Sequence, residues 1–272
     1  MRELFLTSVV PRDDLEPIRA TLGGFTMQTG TLSTFRVLFY DCGPEPKPLK
    51  NDRFFKQSPH LQLWKDLSDQ LARTSYILQV RYLVDINKDF GQGSAMDLNS
   101  RAGILRWNDV PDPAKAVPVN SKTKEAETPE QLVTIRRKID IPGTNLLAAL
   151  ADNGFRFVGE VILDNHVFAK DLAGLVISEV RVLPESPAYP VPTLPAFNTL
   201  RYADPRPLTM FNVRMNVNDS QPENVKKGVE ELLKVKVELE QLCDFRVVER
   251  KLLDTRVVTN NLRAPPGVSE HK

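Results

Sequence analysis

The sequence has few residues of the kinds that build metal centres and disulfides. Its 272 residues include two cysteines, Cys42 and Cys243, and three histidines. The cysteines are far apart along the chain, and the cysteines and histidines together do not have the spacing of a zinc site. We therefore expect no metal and no cofactor. Such sparse use of cysteine is typical of a reducing compartment.

Long apolar runs and an excess of one charge are also missing. No run reaches the length of a membrane span, and the N-terminal segment MRELFLTSVV lacks the features of a signal peptide. The 36 basic and 35 acidic residues nearly cancel, so the composition does not favour direct binding to DNA or to a membrane surface. The sequence thus predicts a soluble, intracellular protein.

Short motifs that hold phosphates or nucleophiles are absent as well. The chain contains no P-loop, no G-x-S-x-G nucleophile turn and no G-x-G-x-x-G dinucleotide-binding pattern. We therefore name no catalytic residue. With 41% hydrophobic residues, the chain can nevertheless bury a large core.

Strands with one apolar face and one charged face are what the sequence does contain. In VTIRRKIDI, residues 133–141, alternation places Arg136 and Lys138 opposite three isoleucines. The pattern recurs in other predicted strands. Either a sheet has a solvated outer face, or a barrel has a polar interior and helices outside. The second interpretation is favoured, and it predicts these interior polar residues: Gln79, Arg81, Arg136, Lys138, Glu160, Glu179, Arg181 and Arg214.

Two amphipathic helices accompany these strands. One spans residues 59–73, and the other lies within residues 221–242. Their apolar stripes are expected to pack on a sheet. The edges of the stripes could also bound a groove for a partner helix. The candidate partner-binding residues are therefore Trp64, Leu67, Leu71, Leu232 and Leu239.

The sequence predicts one domain over residues 1–259, mainly β with peripheral helices (α+β), folded as an antiparallel β-barrel. Residues 88–130 are rich in Gly, Pro, Ser, Lys and Glu, which predicts a flexible insertion. Residues 184–207 predict a proline-rich loop, and residues 260–272 predict a disordered tail.

Five segments carry a resemblance to a known family. They are ELFLT, YILQVRY, IRRKIDI, GFRFVGEVILDNHVFAKDL and NVKKGVEELLKVKVELEQLCDFRVVERKLLDTRV. Together they resemble subunit 18 of the Mediator complex in its fungal form. The resemblance covers the framework of strands and helices but not residues 88–130 or the C-terminal tail.

The resemblance implies a fold, a role and partners. The fold is an antiparallel barrel related to the tunnel-type RNA triphosphatases. The role is that of a non-catalytic, nuclear subunit of the Mediator head module, which supports RNA polymerase II transcription as part of a coactivator. The implied partners are Mediator subunit 20, as a second barrel, and a C-terminal helix of Mediator subunit 8, with indirect contact to RNA polymerase II.

The same relationship leaves a rival function open, that of a metal-dependent triphosphate hydrolase or an RNA-end-binding protein. Tunnel phosphohydrolases resemble one another in an E-x-E-x-K pattern on the first strand, in which the carboxylates hold a divalent metal. The matching positions here are Glu3, Phe5 and Thr7. Because the second carboxylate and the lysine are missing, the scaffold interpretation is favoured.

Overall fold

The computed structural model describes residues 1–50, 55, 58–91, 95–113, 129–185, 187–218 and 221–257. Its strands are β1 (Arg2–Pro11), β2 (Thr31–Asp41), β3 (Leu78–Val84), β4 (Gly103–Asn108), β5 (Thr134–Gly143), β6 (Arg156–Lys170), β7 (Ala173–Val182), β8 (Arg201–Tyr202), β9 (Leu208–Val217) and β10 (Phe245–Arg246). Its α-helices are α1 (Leu15–Thr26), α2 (Leu61–Leu71), α3 (Leu146–Asp152) and α4 (Pro222–Glu238). Within this part of the chain, no helix has the length and apolarity to cross a bilayer.

Eight of the strands close into an antiparallel barrel. Their order is β1-β5-β4-β3-β2-β6-β7-β9, and β9 pairs back to β1 along the whole of β1, from Arg2 opposite Val217 to Pro11 opposite Leu208. The short strands β8 and β10 pair with β7 and β1. The predicted barrel with peripheral helices is confirmed.

The helices cover the outside of the barrel. Helices α1 and α4 pack on β1, β7 and β9, where Leu4 and Leu6 are completely buried. Gly228 of α4 allows this close approach, because a Cβ there would stand 3.0 Å from a methyl group of Leu4 and 3.0 Å from one of Val217. Helices α2 and α3 pack on β2, β3, β4 and β5.

The predicted partner-binding residues lie inside the core of this chain. Each is at most 3% exposed: Trp64, Leu67, Leu71, Leu232 and Leu239. Those on α2 pack against the apolar outer residues of β3 and β5, and those in the α4 region pack against β1 and β9. A partner cannot reach these side chains without displacing the helices, so we correct their assignment to a docking surface.

The structure also corrects the predicted insertion at residues 88–130. Residues 103–108 form strand β4, which pairs with both β3 and β5 as part of the barrel wall. Leu105 and Trp107 point outward and are completely buried. Two alternating apolar side chains are enough to form this strand, because its backbone pairs with β3 on one side and with β5 on the other. Residues 92–94 and 114–128 of the predicted insertion lie outside the described part of the chain, as does the predicted tail.

The proline-rich segment predicted at residues 184–207 lies against the barrel. Leu194 and Leu200 pack there against Phe90 and Ile162. The amide of Gly91 donates a hydrogen bond to the Leu194 carbonyl at 3.0 Å. The segment also contains β8, so it covers the outside of β6 and β7.

The substitution Leu67→Ala tests whether α2 is part of the core. Leu67 is completely buried, so we expect the free energy of unfolding to fall by about 2–5 kcal/mol through lost burial and the cavity that remains. Chemical denaturation measures this change. The control is Leu172→Ala, at a leucine that is 80% exposed. Equal effects of the two substitutions would contradict the packing of α2.

Candidate functional site in the barrel interior

The interior of the barrel is where charged side chains converge. Cross-strand neighbours share a face, and the register brings ionisable groups from β1, β3, β4, β5 and β9 to the inner face. We call these seven residues the charged wall: Glu3, Arg81, Arg106, Arg136, Lys138, Asp140 and Arg214. The hydrogen bonds and electrostatic interactions below connect all seven.

Glu3 is the most strongly engaged member of the charged wall. Its Oε2 accepts hydrogen bonds from Nε and Nη2 of Arg136 at 2.8 and 2.6 Å. The Nζ of Lys138 lies 3.6 Å from its other oxygen and donates to Oδ1 of Asn216 at 2.8 Å. Burial alone would raise the pKa of the Glu3 carboxyl, but attraction to Arg136, Lys138 and Arg106 outweighs burial and lowers the pKa to about 2.

Arg106 and Asp140 form a second ion pair across β4 and β5. Nε and Nη2 of Arg106 donate to the two carboxylate oxygens at 2.7 and 2.8 Å, the two-bond geometry that makes such pairs strong. Lys138 lies 3.5 Å from the same carboxylate. Burial raises the pKa of Asp140, but the hydrogen bonds from Arg106 and the attraction to Arg106 and Lys138 together outweigh burial, so the net shift is downward. The sequence-based reasoning missed Arg106 because it placed β4 in a flexible insertion, although alternation around Leu105 and Trp107 was the available signal.

Five of the predicted interior residues lie on the inner face: Gln79, Arg81, Arg136, Lys138 and Arg214. Gln79 stands opposite Arg106 in the register of β3 and β4. Arg81 is 8% exposed, and its guanidinium lies 4.8 Å from the centre of the Phe35 ring.

Glu160 lies on the outer face, contrary to the prediction. It stands opposite Leu38, which belongs to the outer core beneath the helices. Its Oε2 accepts a hydrogen bond from Nε of Arg36 at 2.6 Å, and both side chains are completely buried. Nη2 of Arg36 also donates to the Val191 carbonyl at 2.8 Å. This buried ion pair therefore anchors the proline-rich segment to the outside of the barrel.

Glu179 and Arg181 also lie on the outer face, so their prediction as interior residues is corrected. Both follow Ile177 at alternate positions of β7, and Ile177 packs on the outer core. The carboxylate of Glu179 lies 3.8 Å from Arg19 of α1. The Arg181 guanidinium stacks 4.4 Å from the centre of the Tyr202 ring. The alternation was read correctly, but these polar faces meet α1 and the proline-rich segment rather than the interior.

An apolar wall faces the charged wall. It is formed by inner positions of β2, β6 and β7, and we define it as Phe35, Val37, Val161, Leu163 and Val176. Val37 stands opposite Arg81 on one side and Val161 on the other. The charged residues named above therefore lie on the charged wall, whereas the five residues of the apolar wall carry no charge.

The positions of β1 that correspond to the E-x-E-x-K pattern of the tunnel phosphohydrolases also face the interior of the barrel. Phe5 is 7% exposed, and its ring centre lies 5.1 Å from the Arg136 guanidinium. Thr7 donates a hydrogen bond to Oδ1 of Asn212 at 2.9 Å. Glu3 already accepts hydrogen bonds from Arg136, so its carboxylate serves as a counter-charge. Within the described ranges, no three His, Cys, Asp or Glu side chains come together as a ligand group.

These features define a tunnel-type β-barrel protein, with a charged interior and an outer surface covered by helices. The Med18 protein family matches residues 2–256, a span that includes every strand of the barrel. The chain belongs to this family, the subunit 18 family of the Mediator complex. The resemblance found in the sequence is confirmed.

The fold is shared with a chain of solved structure. A chain in the structure of the Schizosaccharomyces pombe Mediator head module is similar at 15% identity, with a TM-score of 0.64 over 91% of this chain and 99% of that chain. The PH1819 protein from Pyrococcus horikoshii OT3 is 13% identical with a TM-score of 0.43, covering 92% of this chain and 98% of that one. No curated protein matches the sequence.

The pH dependence of stability tests the role of Glu3. Its pKa falls on folding from an ordinary 4.5 to about 2, so its ion pairs stabilise the fold above about pH 4.5 and lose that contribution as the pH falls toward 2. We expect Glu3→Gln to lower the free energy of unfolding at pH 7 by about 3 kcal/mol. The difference from the unsubstituted chain should shrink below pH 4.5. Denaturant titrations at several pH values measure it, and a difference that does not vary with pH would contradict the assignment.

The buried pair of Arg36 and Glu160 gives a second prediction. Glu160→Gln should lower the free energy of unfolding by about 3–5 kcal/mol, because Arg36 would remain buried without its counter-charge. The double variant Arg36→Met, Glu160→Leu should lose less than the sum of the single variants in denaturation experiments. The control is the pair Arg206 and Asp204, 72% and 38% exposed, where disruption should cost about 1 kcal/mol or less. Additive single effects at Arg36 and Glu160 would contradict the ion pair.

Proposed function

We propose that the chain is a non-catalytic structural subunit of the Mediator head module, which supports RNA polymerase II transcription through protein–protein contacts. The observation that carries the proposal is the match to the Med18 family over residues 2–256. The fold likeness to a chain of the S. pombe head module is consistent with it. Because Mediator acts on nuclear transcription, the proposed location is the nucleus.

The proposed partners are Mediator subunit 20, as a second barrel, and a C-terminal helix of Mediator subunit 8. Contact with RNA polymerase II would be indirect, through the assembled complex. Barrel closure limits how these partners can bind, because the eight wall strands are paired with one another and leave little free edge for strand addition. Partners would therefore bind the helices, the loops or the ends of the barrel.

The interior contacts support a scaffold over the rival hydrolase. The carboxylate of Glu3 is hydrogen-bonded to Arg136, and Asp140 is hydrogen-bonded to Arg106. Both interior carboxylates of the charged wall therefore serve as counter-charges to arginines. Phe5 and Thr7 occupy the positions where the related hydrolases carry a carboxylate and a lysine.

Affinity purification tests the proposed complex. A tagged copy of the full chain would be isolated from nuclear extract of its own organism at moderate salt, and the co-purifying chains identified by mass spectrometry. We expect subunits 20 and 8 in amounts comparable to the tagged chain, together with other head subunits. An unrelated protein with the same tag is the control. Absence of every Mediator chain would contradict the proposal.

A phosphate-release assay tests the rival function. The purified chain would be incubated with RNA ending in a 5′-triphosphate, with manganese present. We expect no release above that of a sample without protein, because Glu3 is held by Arg136 and Lys138. Release by the chain that disappears in Glu3→Gln would favour the hydrolase. The folding of that variant can be checked by circular dichroism.

A further inference from the structure

The part of the proline-rich segment between β7 and β8 begins and ends at one strand pair. Val182, the last residue of β7, stands opposite Arg201, the first residue of β8. The guanidinium of Arg12 stacks 3.6 Å from the centre of the Tyr202 ring and holds β8 in place. We call residues 183–200 the β7–β8 loop. Because the two ends of this loop are fixed beside each other, it can leave the barrel surface without moving a strand.

The β7–β8 loop is attached to the barrel mainly through its own carbonyl groups. The three acceptors are the carbonyls of Val191, Pro192 and Leu194. Their donors are Nη2 of Arg36 at 2.8 Å, the amide of Met96 at 2.8 Å and the amide of Gly91 at 3.0 Å. Five residues of the loop are prolines, which have no N–H group. The loop therefore has few backbone donors with which to form further hydrogen bonds.

The apolar contacts of the β7–β8 loop are also limited. Leu194 and Leu200 are 2% and 6% exposed and pack against Phe90 and Ile162. Among the described residues, this cluster has six buried apolar side chains, whereas the cluster beneath α2 and α3 has twenty buried residues. Burial of apolar surface is the dominant stabilising contribution to folding. The loop is therefore held less strongly than the helices, and such regions open at lower free energy than the core.

The ion pair beneath the β7–β8 loop makes closure of the loop costly. The side chains of Arg36 and Glu160 are completely buried. In the described part of the chain, Nη1 of Arg36 and Oε1 of Glu160 have no hydrogen-bond partner. Buried polar atoms without partners destabilise the closed state. If the loop moves away, water can reach these two atoms, which offsets part of the loss of the loop contacts.

We propose that the β7–β8 loop is a cover that detaches as a unit while the barrel stays folded. In the closed state it covers Ile162 and the ion pair of Arg36 and Glu160. In the open state these side chains are accessible on the outer surface of β2 and β6. The wall stays intact because its eight strands pair with one another without the loop. This opening is a property of the chain alone and does not depend on its partners.

Hydrogen exchange of the full chain under native conditions, followed by NMR, tests this opening. The amides of Gly91 and Met96 report on the loop because they donate to its carbonyls. We expect them to exchange at least roughly a hundredfold faster than the slowest amides of β2 and β6. Low concentrations of denaturant should hardly change their exchange, because little surface is exposed by local opening.

Two results of this experiment would overturn the proposal. If Gly91 and Met96 exchange with the same free energy and the same denaturant dependence as the wall amides, the loop opens only when the whole barrel unfolds. If they exchange as fast as the amides of an unstructured peptide, the loop does not form the closed state at all.

A matched pair of leucine substitutions separates opening of the loop from unfolding of the barrel. Leu194→Ala removes a contact that only the closed loop makes, so exchange at Gly91 and Met96 should become at least about tenfold faster, with the wall amides unchanged. Leu105→Ala removes a completely buried side chain of β4. It should accelerate the wall amides and leave Gly91 and Met96 unchanged. The same response of all these amides to both substitutions would contradict independent opening.

The substitution Glu160→Gln tests whether the loop covers the ion pair. It leaves Arg36 buried without its counter-charge in the closed state only, so exchange at Gly91 and Met96 should become about tenfold faster or more. The control is Glu231→Gln, which makes the same change at a carboxylate of α4 that is 50% exposed. It should leave both amides unchanged. Equal exchange in Glu160→Gln and the unsubstituted chain would show that opening does not hydrate the pair, and would overturn the proposed cover.

Discussion

The interior of the barrel depends on the ion pairs that the carboxylate of Glu3 forms with Arg136 and Lys138. Closing eight strands into a ring forces one face of every strand into a confined space, and here that face carries five cations. Glu3 of β1 forms ion pairs with Arg136 and Lys138, which both lie on β5, so its charge attracts β5 toward β1 and offsets the repulsion between the two cations. These two strands share only a short ladder, from Arg2 opposite Arg137 to Phe5 opposite Thr134. The side-chain pairs therefore reinforce the barrel where its backbone pairing is short.

Alternation along the sequence predicted the strands well but could not decide which face lies inside. Arg136 and Lys138 lie inside because Ile139 and Ile141 of β5 pack beneath α2 and α3. Glu160 and Glu179 show the same alternation, yet they lie outside, where Arg36 and Arg19 supply counter-charges. A period of two identifies two faces, whereas the choice between them depends on distant segments that cover the barrel. That information is tertiary and is not contained in any single strand.

The helices and strand β4 likewise depend on contacts with distant segments of the chain. The stripes around Leu67 and Leu232 predicted amphipathic helices at residues 59–73 and within residues 221–242, and these ranges contain the observed α2 and α4. Leu67 and Leu232 are completely buried, which shows that both stripes pack within this chain. Strand β4 was missed because composition over a long window outweighed the alternation of Leu105, Arg106 and Trp107. Pairing with β3 and β5 stabilises a six-residue strand that local sequence alone does not specify.

The pairing of β1 with β9 also determines when this protein can fold during its synthesis. Strand β1 leaves the ribosome well before β9, but its long ladder requires residues 208–217 of β9. Until then, β1 and β7 each have an unpaired edge. Contacts between such distant segments form slowly, and open edges favour association between nascent chains. A ribosome that stops before β9 would therefore release an open, aggregation-prone sheet, so premature termination would expose the cell to a species that the complete barrel never presents.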